Sequence, residues 1–475
     1  MRVDLIIQKG LIMTMEGKGI GLIEDGAVAI KGNTIQAVGS TLEIISNYSA
    51  ENVIDAQNKL VMPGLIDAHI HTGLALLRGV AQDMNHWMQK GLWPFMKHLT
   101  PEASKKGSMV NIIEGIQSGT TTFCDYDSSM NSLVENYIKI GARARVAELV
   151  NEIPDNISDI PVGELYPFYS EIGERKLKNN LSLIEKYHES ADGRITCILG
   201  PHGPDLMSIE LLQEMQRLAE QYDTKLHMHV AQGDREIDQM VKRYGKRSIS
   251  FLEEMGYLNE RLIAVHLTEA TDEETEIVAK SGAGMIYCSG SIGIIDGLVP
   301  PVLKFMESGG VAGLGSDQAP GNNCNNMFNE MKFAAILNKV KRSNPAVFPA
   351  AMSLRMATIE AAKVMGIDHE VGSLRKGKKA DLIIINLLEP TLSPLYIDPI
   401  RNIVPNLVYS ARGHEVETSI INGKIIMENR QITTVDTKAA VLEAQQAAKE
   451  LSQRAKQDIL NADSDMLRMM REHLL

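Results

Sequence analysis

The sequence predicts an α/β protein: a (β/α)8 TIM-like barrel carrying a small β-sandwich built from both chain ends. Three observations lead there. Between residues 61 and 365, short apolar runs alternate with amphipathic helical stretches, the pattern of a parallel sheet with crossover helices. On both sides of that region the pattern turns to short strands and tight turns. Six of the twelve histidines fall at expected strand ends, where a barrel keeps its active site.

Taken in order, residues 1–60 read as short strands at 4–7, 11–14, 27–31 and 34–39, punctuated by Gly10, Gly17 and Gly32. The eight expected strands of the central region are 65–71, 120–126, 143–150, 194–200, 225–231, 261–267, 284–288 and 311–316. Stretches such as 209–222 and 272–280 carry the helical period between them. Eight strands over roughly 300 residues suit a closed barrel. A doubly wound open sheet is the alternative, but no Gly-rich phosphate turn follows the first strand. From 366 to 435 strands return, at 380–386, 407–409, 416–421 and 424–428, with Asn422-Gly423 as a hairpin turn. Residues 436–475 read as one long polar-faced helix.

Composition narrows the function. The chain has 475 residues, 44% hydrophobic and 23% charged, in the range of an ordinary enzyme. A formal charge of −12 speaks against nucleic acid, which needs clustered Lys and Arg. The four cysteines, Cys124, Cys197, Cys288 and Cys324, are scattered without a CxxC, so neither a disulfide framework nor a structural zinc site is indicated. With no signal-peptide pattern and no apolar run of membrane-spanning length, the expected setting is the cytoplasm, without a membrane partner. The 25 methionines are read as adaptable core filling.

The chemistry starts at His69-Ile70-His71, at the end of an apolar run that opens with Pro63-Gly64. A strand puts both imidazoles on one face, where they can grip one divalent metal. His202, His227, His229 and His266 lie at other strand ends. His86, His98, His188, His369, His414 and His473 fall in helix or loop.

Pro63-Gly64-Leu65-Ile66-Asp67-Ala68-His69-Ile70-His71 resembles the signature of the amidohydrolase superfamily. Leu76-Leu77-Arg78-Gly79-Val80-Ala81-Gln82-Asp83 narrows the resemblance to S-adenosylhomocysteine and methylthioadenosine deaminases, s-triazine chlorohydrolases and melamine deaminases. The resemblance implies metal ligands at His69, His71, His229 and Asp317. It makes Asp317 the proton acceptor, His266 the partner of the water, and His202 a substrate-side group. His227 is then a hydrogen-bonded core histidine. One metal is expected, because the fourth strand ends Leu199-Gly200-Pro201-His202 without a lysine. Three imidazoles and a carboxylate suit zinc first and iron second.

Several positions depart from the family. Its fifth-strand motif is His-x-x-Glu, with the glutamate shuttling protons. Here it reads His229-Val230-Ala231-Gln232, and an amide cannot donate and recover a proton at neutral pH. Met96 stands where nucleoside deaminases carry a ribose-binding glutamate. Glu148 stands where they carry an arginine, so it either meets a basic substrate or pairs with Arg143 or Arg145. Trp87, in the apolar 84–99 stretch, is expected to roof the pocket, and Gln318 to line it.

The expected function is therefore a metal-dependent aminohydrolase acting on a small nitrogen-rich heterocycle. The alternative is dechlorination, or amide, urea or thiocarbamate cleavage, which needs no ring protonation. A third reading is a ligand-binding protein with little turnover. The expected partner is a small molecule, in a homodimer or homotetramer.

Overall fold

The computed structural model describes residues 1–154, 157, 160–161 and 163–475. The protein is α/β. The strand Leu65–His71 pairs in parallel with Thr120–Asp127, which pairs with Arg143–Val150. Arg143–Val150 pairs with the broken fourth strand, Ile195–Cys197 and Gly200–Pro201. A parallel bridge from Leu199 to Leu226 leads to Leu226–Val230, then Leu262–His266, Gly284–Tyr287 and Ala312–Leu314. The chain continues into Asp317–Gln318, which pairs with Ile70 and His71 of the first strand.

Burial explains why these strands read as apolar runs rather than alternating ones. Every residue of Leu65–His71, Thr120–Asp127, Leu226–Val230 and Leu262–His266 is buried, as in parallel sheets covered by helices on their outer face. The helices between them have local causes. Ser208 caps Ile209–Gln221, and Thr271 closes a reciprocal capping box with Glu274 on Asp272–Lys280. Gly245, in the left-handed region, ends Gly233–Tyr244.

Both chain ends meet in one nine-stranded sheet. The junction is the antiparallel pairing of Leu382–Asn386 with Lys59–Pro63. Ile7, Ile12, Val28 and Val61 from the N-terminal part share a core with Leu382, Ile384 and Ile420 from the C-terminal part. The hairpin falls at Asn422-Gly423, where both residues have positive φ (52° and 75°).

Three expectations change. The runs at 4–7 and 11–14 are one strand, Arg2–Met13, whose register shifts around Lys9 and Gly10. The apolar 407–409 run is a helical turn within Asn406–Ser410, since three apolar residues cannot distinguish a strand from a buried turn. The single helix of 436–475 is two: Thr437–Ala462, then Asp465–Arg471 after a left-handed Asp463, with Ser464 capping the second. The first buries Ala444, Ala447, Leu451 and Ala455, an i, i+3, i+7, i+11 stripe, and packs on Pro101–Gln117. No helix among the described residues is long and apolar enough to cross a membrane.

One buried ion pair ties the terminal sheet to the parallel strands. Arg143 donates from Nε to Asp381 Oδ2 (2.6 Å), and from Nη2 to Asp381 Oδ1 and Asn422 Oδ1 (both 3.2 Å). Removing one partner strands the other in the interior, so Arg143→Ala is expected to cost about 3–5 kcal/mol of unfolding free energy. The urea midpoint measures this, and a loss below about 1 kcal/mol would mean that water replaces the guanidinium.

Candidate active site

Four histidines and an aspartate converge at the C-terminal strand ends. The ligand atoms of His69, His229 and His266 lie within 4.8 Å of one another, as do those of His69, His71 and Asp317. All five residues are buried. The cluster depends on a close approach at Gly315, where an added Cβ would sit 2.8 Å from His69 Cβ. Three strand-end residues here, Ala231 (φ 52°), His266 (φ 79°) and Asp317 (φ 61°), occupy the left-handed region. Each such residue costs on the order of 1–3 kcal/mol and persists only where its surroundings enforce it.

The imidazoles are oriented by their Nδ1 atoms. His71 Nδ1 bonds the Tyr126 carbonyl, and His229 Nδ1 bonds the His202 carbonyl at 3.0 Å. A carbonyl only accepts, so both rings carry hydrogen on Nδ1 and keep the Nε2 lone pair for a metal. His69 Nδ1 lies 2.8 Å from His227 Nε2. Among the described residues the buried His69 Nε2 and both His266 nitrogens find no hydrogen-bond partner, and such orphans in a donor cluster fit a divalent cation. Burial pushes His69 and His229 well below the ordinary imidazole range, His266 down to about 4 and His227 to about 3. At neutral pH these rings are neutral, as ligands must be.

Asp317 Oδ1 lies 3.5 Å from Nε2 of both His69 and His71, and Oδ2 accepts from the Ser291 hydroxyl at 2.6 Å. Burial raises its pKa, but His266, His71 and the Ser291 hydroxyl together hold it below the ordinary carboxylate value. Beneath it, Asp67 accepts from Ser316 N (2.9 Å) and Oγ, while Asn325 Nδ2 donates to Ser316 Oγ and the Asp317 carbonyl (2.7 and 2.9 Å). Burial raises Asp67 to about 8.

His202 stands beside this cluster, its ring 5.4 Å from that of His229. Asn151 Oδ1 accepts from Lys176 Nζ (2.8 Å) and Ile153 N (3.3 Å), which turns Asn151 Nδ2 toward His202 Nδ1 at 2.8 Å. His202 Nδ1 therefore accepts, and its Nε2–H is the donor left for a substrate. Gln232 lies two residues beyond the fifth strand. Its backbone N–H and that of Ala231 are both held by the buried Glu236 carboxylate (2.8 and 2.7 Å).

Among the described residues Glu148 pairs with no arginine: its carboxylate accepts from Ser129 N (3.1 Å) and Met130 N (2.7 Å), at the start of helix Met130–Ile140. Arg143 is spent on Asp381, and Arg145 on the Met365 carbonyl. Met96 is 38% exposed on the short helix Trp93–Met96. Trp87 packs against an apolar cluster of Leu92, Trp93, Tyr166 and Leu206, to which the C-terminal helix adds Leu451. Gln318 is buried next to Asp317 and opposite His71. Ser291, Asn151, Lys176 and Asp67 were not expected. Asn151 follows the third strand, and Asp67 shares strand parity with His69 and His71, so position hinted at these two.

An α/β fold with a buried His/Asp donor set at its strand ends is an arrangement that can hold a divalent cation. The chain belongs to the amidohydrolase family, whose profile matches residues 60–426. It is 34% identical over 453 residues to a 5-methylthioadenosine/S-adenosylhomocysteine deaminase of Thermoanaerobacter pseudethanolicus, covering 95% of this chain and 100% of that one. It is 34% identical over 450 residues to a 5'-deoxyadenosine deaminase of Methanosarcina mazei, covering 94% and 98%. Among solved structures, a zinc-bound adenosine deaminase from Xanthomonas campestris superposes with a TM-score of 0.87 at 28% identity, covering 95% and 99%. A zinc-bound atrazine chlorohydrolase from Arthrobacter aurescens superposes with a TM-score of 0.82 at 21% identity, a likeness of fold.

Proposed function

We propose that the protein is a metal-dependent aminohydrolase that releases ammonia from a small nitrogen-rich heterocycle of adenosine type. The observation that carries this reading is the donor cluster itself: His69, His71, His229 and Asp317, with His266 alongside, buried and oriented by their Nδ1 contacts. Zinc is the metal we favour, and when bound it supplies an acidified water for attack on an electrophilic carbon. The strand circuit is read as a (β/α)8 barrel over 61–365, with 1–60 and 366–435 forming the small β domain. The exposed stripe Phe333, Ile336 and Val340 on helix Met327–Lys341 supports a homo-oligomer.

The protein's own residues divide the remaining work. Asp317 takes a proton through the oxygen facing His69 and His71, while Ser291 holds the other. His202 donates its Nε2–H to an acceptor on the substrate. The apolar roof around Trp87 excludes bulk water. Gln232 orients the substrate but carries no proton.

That glutamine favours one other reading, displacement of chloride or cleavage of an amide, urea or thiocarbamate. Elemental analysis together with ammonia release from adenosine-type nucleosides, aminopurines, pterins and triazines separates the two. One metal per chain with ammonia from any of these is the expected result. Metal without ammonia would transfer the assignment to the second reading, and absence of metal would overturn both.

A further inference from the structure

We propose that His227 is a positioning residue for the metal centre: it accepts the Nδ1 hydrogen of His69 and so leaves His69 Nε2 free to ligate. The inference rests on the reading of His69 as a ligand. His227 is fully buried between two partners. Its Nε2 lies 2.8 Å from His69 Nδ1, and its Nδ1 lies 3.3 Å from Cys124 Sγ. Its ring stacks on Tyr126, with centroids 5.0 Å apart and planes 10° apart. The carbonyl of that same Tyr126 orients His71. One residue pair therefore sets both histidines of the first strand.

The chain Cys124–His227–His69 can run in two directions, each leaving both rings neutral with one hydrogen. In the first, His69 Nδ1–H donates to His227 Nε2, and His227 Nδ1–H donates to the Cys124 sulfur. His69 Nε2 then presents a lone pair to the cluster. In the second, the Cys124 thiol donates to His227 Nδ1, and His227 Nε2–H donates to His69 Nδ1. His69 Nε2 then carries hydrogen, faces Asp317 Oδ1 at 3.5 Å and cannot ligate. A cation selects the first direction. An apolar residue at 227 would leave the His69 Nδ1–H of that direction buried without an acceptor, a cost the second tautomer avoids. It would therefore favour the form that rejects the metal. Partners of this kind are worth about 10- to 100-fold in metal affinity.

The test measures zinc affinity of the full-length protein by competition with a chromophoric chelator, and the melting temperature of the metal-free protein. His227→Phe fills the space without an acceptor and is expected to weaken zinc binding about 10- to 100-fold. His227→Gln places an amide oxygen near the Nε2 position and is expected to restore most of that loss. Cys124→Ala keeps the ring but removes its acceptor, which covers the case in which His227→Phe does not fold. It is expected to weaken zinc binding in the native background and to do nothing on top of His227→Gln, the non-additivity of residues acting through one another. Unchanged affinity in His227→Phe or Cys124→Ala, or affinity that merely follows the metal-free melting temperature across all three, would make His227 a packing residue. A native protein that binds no zinc would instead overturn the proposed function.

Discussion

Asp317→Asn is expected to lower turnover about a thousand-fold or more while leaving the chain folded. The two halves of that expectation rest on different atoms. The carboxylate bridges the site, with Oδ1 facing His69 and His71 and Oδ2 on the Ser291 hydroxyl. An amide keeps the shape but carries no charge for a cation and takes up no proton at neutral pH. The backbone, by contrast, is held without the side chain, since Asn325 donates to the Asp317 carbonyl and Asp67 clamps the preceding Ser316. Asparagine also tolerates the left-handed conformation of this position better than most residues. Ammonia release and circular dichroism on the same sample read both halves. Activity within tenfold of the native protein would remove Asp317 from the reaction.

Much of this site was legible because burial leaves a simple trace in parallel strands. His69, His71, His229 and His266 stand out, with Asp67 and His227, as polar residues inside runs that are mostly apolar, and each of those runs is wholly buried. The family motif then ranked them. What stayed hidden were partners set by three-dimensional approach. Glu148 read in sequence as a partner for a basic substrate or for Arg143 or Arg145, because nothing there shows that helix Met130–Ile140 begins against it. Ser291 is the third residue of a short helix, and the pairing of Asp317–Gln318 with Ile70 and His71 sets the place at which Asp317 meets its hydroxyl. Asn151 and Lys176 are 25 residues apart, and their bond follows from how helix Ser170–Tyr187 lies on the third strand. His227 illustrates both sides: its parity with His229 was plain, whereas its bond to His69 across 158 residues was not.

Gln232→Glu is expected to raise ammonia release from an adenosine-type substrate by about 10²–10⁴-fold, the usual contribution of a positioned general acid. The substitution is nearly isosteric. The clamp that aims residue 232 also works on its backbone, through Glu236, and does not involve its side chain. The surroundings would tune the new carboxyl. Burial and Asp205 already raise Glu236 to about 7, and burial with Asp317, Glu269 and Asp234 raises Asp296 to about 7. A general acid at 232 contributes only to the extent that it holds a proton near neutral pH. The sign of the pH dependence follows. The acid works only when protonated, so the gain is full below its pKa and is lost as pH rises through it. The variant's pH–rate profile should show a descending alkaline limb that the native profile lacks. A fall in whatever activity the native protein shows would mean that Gln232 serves a chemistry without ring protonation, and the chloride or acyl reading would take over. An unchanged rate on every substrate would place residue 232 outside the reacting centre.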